Sequence, residues 1–183
     1  ESGTPANSVD GSKTITIKPA GNGPIQVTAG TISGFSALNI GDGSAADKDS
    51  TDPKTTSTTL TVTKRLDTWA DESKTDARKD STVTLYHSVL KVDIPAAADR
   101  TAGHIGNLSS TGLSKIYVHR NRPLVSDGNV TVGQAGDGSE IPIQLYPIET
   151  TQVGTEQKQV NLINERPMTF TNYVVDMEQK FTD

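Results

Sequence analysis

The chain has no cysteine, which excludes disulfides, thiolate metal sites and a cysteine nucleophile. Aromatic residues are scarce: three Phe, four Tyr and one Trp in 183 residues. A sugar-cleaving cleft needs aromatic platforms, and few are available to build one. Hydrophobic residues make up 32% of the chain, so the core must be narrow and filled by Val, Ile and Leu. No basic excess exists either. The net charge of −5, with Lys and Arg scattered, argues against nucleic acid and against an anionic membrane as partners. No apolar run reaches the length of a membrane-spanning helix. The segment Glu1-Ser-Gly-Thr4 lacks the basic and apolar regions of an export signal, and an exported chain whose signal has been removed is the expectation.

Catalytic patterns are missing as well. There is no G-x-S-x-G elbow, no HExxH, no P-loop and no G-x-G-x-x-G after a strand. Of the three histidines, His87 and His119 fall within strand patterns, and His104 lies in a Gly-rich stretch near Ser109 and Ser110. None gathers a nucleophile and an orienting acid in sequence, so the chain reads as non-enzymatic.

What the chain does have is short alternating segments. Thr14-Ile-Thr-Ile-Lys18 alternates strictly and puts Ile15 and Ile17 on one face. Ile25–Thr28, Thr58–Leu66, Lys115–His119, Val130–Val132, Ile141–Leu145, Val160–Ile163 and Met168–Phe181 follow, each bounded by Gly, Pro, Asp or Asn. Residues 81–95 change phase after His87, which predicts one long strand with a β-bulge. Asp67 or Thr68 is placed to cap a short surface helix anchored by Trp69, and 103–112 reads as a loop. About nine or ten short strands at this spacing, with no amphipathic helix, predict an all-β single domain of β-sandwich or jelly-roll type. Residues 1–18 form an extended N-terminal arm and 19–183 the body.

Aspartates are the most suggestive polar residues. Gly41-Asp-Gly-Ser44 and Gly136-Asp-Gly-Ser139 repeat one tetrad, and Asp47, Asp49 and Asp52 follow the first. Oxygen-rich, flexible Asp/Gly/Ser loops suit calcium, so Asp42, Asp47, Asp49, Asp52 and Asp137 are candidate ligands. Asp-Gly is equally a preferred turn dipeptide, which accounts for each of them singly. Two sequons, Asn107-Leu-Ser109 and Asn129-Val-Thr131, are candidate glycan acceptors.

A polar arm ahead of a short perfect strand, set off by Pro19 and a Gly-rich hinge, suits pairing with a neighbouring copy. Thr14, Ile15, Thr16, Ile17 and Lys18 are therefore the candidate assembly strand. It serves equally as the first strand of the chain's own sheet. The run Phe35-Ser-Ala-Leu-Asn-Ile-Gly-Asp-Gly-Ser44, followed by Thr58-Thr-Leu-Thr-Val-Thr63, resembles the early part of the camelysin/TasA-like group. Archaeal bundling pilins and cannula tube proteins are similar in kind. The resemblance covers about residues 13–65. It implies a cysteine-free β-sandwich subunit that links copies outside the cell by strand donation, with calcium implicated. Thr63-Lys-Arg-Leu-Asp67 departs from the group's usual continuation. The expected function is thus a self-assembling extracellular filament or tube subunit partnered by its own copies. A viral or phage capsid or tail protein, and a carbohydrate- or receptor-binding adhesin module, are the alternatives.

Overall fold

The computed structural model describes residues 13–20, 24–43, 58–74, 76, 78, 80–94, 103–119 and 124–148, together with the backbone of 162–163 and 170–175. Among these residues every regular element is a strand. They are β1 (Thr14–Ile17), β2 (Ile25–Ser33), β3 (Ala37–Ile40), β4 (Thr58–Asp67), β5 (Thr82–Tyr86), β6 (Val89–Val92), β7 (Gly103–Ile105), β8 (Asn107–Thr111), β9 (Lys115–His119), β10 (Leu124–Val132), β11 (Gln144–Ile148), β12 (Leu162–Ile163) and β13 (Phe170–Val175).

All thirteen strands belong to one sheet, and nearly all its pairings are parallel. This overturns the expected antiparallel sandwich or jelly roll. Hydrophobic alternation reports which face of a strand is buried and says nothing about the direction of its neighbour. Parallel pairing is the habit of α/β sheets, whose faces are covered by helices. No helix covers this one among the described residues. Instead, the registers show the sheet winding on itself.

Three ladders run through the molecule. In the first, Ile15, Leu38, Val83, Leu108 and Val130 stack in register across β1, β3, β5, β8 and β10. In the second, Val27, Leu60, Leu90, Ile116 and Leu145 stack across β2, β4, β6, β9 and β11. The third uses the far ends of two strands: Ile32, Leu66, Gly103 and Leu124 align across β2, β4, β7 and β10. The chain visits the three ladders in turn and then begins the next coil one strand spacing, about 4.8 Å, further on. Successive equivalents in the first ladder lie roughly 22–25 residues apart, apart from Leu38 to Val83, within the range of solenoid repeats.

The inward residues of all three ladders make one continuous core, in which Leu38, Ile40, Leu60, Val62, Leu85, Leu90, Ile116 and Val118 are fully buried. Outward residues of the first ladder are small and polar: Thr16, Asn39, Thr84, Ser109 and Thr131 fall in one row.

Corners must satisfy backbone groups that have left the ladders. Two clusters of small polar side chains do this. Between the first and second ladders, Ser88 Oγ donates to the Ile40 carbonyl at 2.8 Å, and Ser114 Oγ accepts from Ser88 N at 3.2 Å. Between the third and first, Gly106 N donates to Ser81 Oγ at 3.1 Å and Ser126 Oγ to the Gly106 carbonyl at 2.6 Å. Gly106 is required there, since a Cβ would collide with the carbonyl oxygens of Arg78 and Ser81.

Three further expectations are corrected by this winding. The phase change after His87 is a corner and not a bulge: His87 has φ 45°, is fully buried, and its N–H donates to the Thr111 carbonyl at 2.8 Å. Residues 103–112 are not a loop but hold β7 and β8. Among the described residues no helix follows Asp67; its carboxylate accepts from Trp69 N at 2.8 Å in a turn.

Candidate functional site: the open edge of the first coil and the clasp beside it

β1 lies at one end of the sheet path and pairs with β3 alone among the described strands. In a parallel strand the N–H and C=O of one residue point to the same side, alternating along the chain. Lys13 O accepts from Ala37 N at 3.1 Å and Ile17 O from Gly41 N at 2.8 Å, so Lys13, Ile15 and Ile17 face β3. The backbone groups of Thr14 and Thr16 therefore face the outer edge. Both residues are exposed. β2 ends the second ladder in the same way, paired only with β4. Lys18, whose Nζ stands 3.9 Å from Asp42 Oδ1, and Pro19 close the edge after four residues.

Of the candidate assembly strand Thr14–Lys18, Thr14–Ile17 is thus found in register with the chain's own β3, and Lys18 follows it. Asp42 is paired with Lys18, and Asp47, Asp49 and Asp52 lie outside the described residues. Asp137 sits far along the sequence in an exposed turn, where its Oδ1 accepts from Ser139 N at 2.9 Å and from Ser139 Oγ at 2.5 Å. These two bonds hold its carboxyl below the usual carboxylate range. Among the described residues no three acidic or histidine side chains gather around a point where an ion would fit. Ser110 Oγ is turned to the Gly112 carbonyl at 3.3 Å. Asn107 sits at the third-to-first corner with its amide in use: Nδ2 donates to Ser81 O at 3.2 Å and Oδ1 accepts from Asn129 N at 2.9 Å. A glycan on Nδ2 would displace that contact.

One cluster was invisible in the sequence. Arg78, whose side chain is 4% exposed, binds Asp67 Oδ1 through Nε at 2.9 Å and lies 3.6 Å from Asp127 Oδ2 through Nη1. It also donates to the carbonyls of Asp76 and Lys74, at 3.2 and 3.0 Å. Arg65 reaches Asp67 Oδ2 at 3.3 Å, and His104 Nε2 lies 2.8 Å from Asp127 Oδ2. His104 Nε2 also stands 3.4 Å from Arg78 Nη1, which can only donate. One nitrogen cannot donate and accept in the same tautomer. The shorter contact decides, and His104 donates from Nε2 to Asp127. Two arginines and two aspartates balance, so the cluster is a clasp that holds the excursion between β4 and β5 against the third ladder. No sequence motif announces it, because Asp67, Arg78, His104 and Asp127 come from three different coils.

On the outer face of the second ladder, Lys91, Tyr117 and Tyr146 fall in register. The tyrosine rings stack with centroids 4.7 Å apart, and Lys91 Nζ stands 5.1 Å from the Tyr117 centroid. Burial pushes both phenols upward, and at Tyr117 the neighbouring Tyr146 adds to it.

Compared with protein-family models, with curated proteins and with solved structures, the chain matches none.

Proposed function

We propose that the chain is a structural subunit that assembles with its own copies outside the cell, into a filament or tube, by adding a strand to the edge of its first coil. The observation that carries this reading is the position of β1, at the end of a sheet, with the backbone groups of Thr14 and Thr16 directed away from every described strand. Such an edge is a template for another strand, because main-chain hydrogen bonds do not depend on which chain supplies them. The coiled architecture supports the reading further. Each coil is completed by the next, so a coil from a second molecule continues the same pattern.

Thr16→Pro tests it. The substitution removes an outward N–H and leaves the main-chain bonds between β1 and β3 in place, while giving up the 3.5 Å contact from Asn39 Nδ2 to Thr16 Oγ1. Size-exclusion chromatography and electron microscopy are expected to show assemblies for the unchanged chain, and monomers for Thr16→Pro and for deletion of residues 1–18. Assembly of Thr16→Pro equal to that of the unchanged chain would overturn the proposal. Running both in calcium and in chelator tests the calcium-assisted form expected from Asp42 and the acidic stretch after it.

A further inference from the structure

We infer that the strand added to the β1 edge is β13 of a second copy, so that copies join head to tail; this rests on the assembly reading above. The first ladder runs β1, β3, β5, β8, β10 and ends on Phe170 and Thr171 of β13, whose Tyr173–Val175 pair with the third-ladder residues Leu124–Ser126; the second holds β2, β4, β6, β9, β11, β12. Among the described strands, β1 and β2 end the two ladders at one pole of the coil, and β13 and β12 end them at the other.

Strand direction fits. The pairings from β1 to β10 are parallel, whereas β13 runs antiparallel to β10 and β12 antiparallel to β11. A second copy carried along the coil axis in the same orientation therefore presents β13 antiparallel to β1, and β12 antiparallel to β2. Antiparallel pairing is the stronger ladder, and one movement satisfies both ladders at once. The contact joins two different surfaces, so it repeats without closing and yields a linear assembly.

The competing arrangement pairs two β1 edges about a two-fold axis and stops at a dimer. It uses the β1 edge alone, whereas the head-to-tail arrangement also pairs β2 with β12. Antiparallel β1 strands bond only through their outward groups, with Thr14 of one copy opposite Thr16 of the other, which leaves a contact of two residues per strand.

Because the chain lacks cysteine, introduced thiols report contacts without background. The registers carry Phe170 to the rung of Ile15 and Thr171 to that of Thr14. Thr14→Cys and Thr171→Cys are made as single variants, one of them tagged to differ in mass, and treated with a short bis-maleimide under assembly conditions. The expected result is a cross-linked pair containing one of each from the mixture, none from Thr14→Cys alone, and a ladder of oligomers from the double variant. Cross-linked Thr14→Cys homodimers would overturn the head-to-tail inference and leave assembly standing. Assemblies visible by microscopy without any mixed cross-link would also overturn it. Absence of assemblies from every sample would overturn the assembly reading itself.

Discussion

Arg78 concentrates more interactions than any other described side chain, and its removal shows what the clasp contributes. Arg78→Ala takes from Asp67 and Asp127, at 14% and 17% side-chain exposure, the cation they share, leaving Asp67 to Arg65 and Asp127 to His104. Breaking a largely buried pair from one side costs about 3 kcal/mol, read as a lowered denaturation midpoint with an unchanged slope. Arg78→Lys is expected to recover little, since an ammonium cannot reach Asp67, Asp127 and two carbonyls together. Gly106→Ala is the second residue-level prediction. Its Cβ would strike two carbonyl oxygens at a corner that cannot move without unpairing β8, and overpacking of this kind costs roughly 2–3 kcal/mol. Neither residue stands out in the sequence. Arg78 lies in a polar, Asp-rich stretch, and its partners are found only after the chain has made further turns; Gly106 reads as one more loop glycine.

At the scale of the element, strand positions were legible and strand partners were not. Thr14–Lys18, Thr58–Leu66 and Lys115–His119 each show enough alternation to locate β1, β4 and β9. β7 and β8 escaped because the corner at Gly106 divides Ile105 from Leu108, leaving too few alternating residues on either side. The inward-outward assignment is testable on β5 and β6. Leu90→Ala, at a fully buried rung of the second ladder, is expected to cost about 2–5 kcal/mol, whereas Thr84→Ala on the outer row of the first ladder should stay within about 0.5 kcal/mol. Equal losses in denaturant titrations would contradict the assignment. The tyrosine stack makes a pH prediction on β9 and β11. Burial raises both phenols above the ordinary value of 10.0, so above that pH the unfolded chain loses these protons first. The folded state then binds more protons than the unfolded state, and stability falls as pH rises from about 10 through the folded values. Tyr117→Phe should flatten this alkaline limb, measured as melting temperature against pH.

Across the whole molecule, repetition was concealed by unequal coils. The excursions between β3 and β4 and between β4 and β5 lengthen one coil, so no fixed period survives in the sequence even though the registers repeat. A coil stacked only on its neighbours is a quasi-one-dimensional object whose end coils open more readily than its middle. Native-state hydrogen exchange should therefore be graded along the axis: β5 and β8, flanked on both sides, slowest, and β1 fastest. An antiparallel sandwich, with its first strand locked between two sheets, would not produce that order. Within β1 a finer distinction follows from the direction of its amides. Those of Ile15 and Ile17 face β3 and gain moderate protection in the monomer, while those of Thr14 and Thr16 face the open edge and exchange at nearly free rates. On assembly the second pair should slow sharply as a strand of the next copy takes up their hydrogen bonds, and the first pair should slow with the reduced fraying of the coil. Protection of Thr14 and Thr16 that is already high in the isolated monomer would mean that the edge is covered within a single chain, and the assembly surface would then have to lie elsewhere.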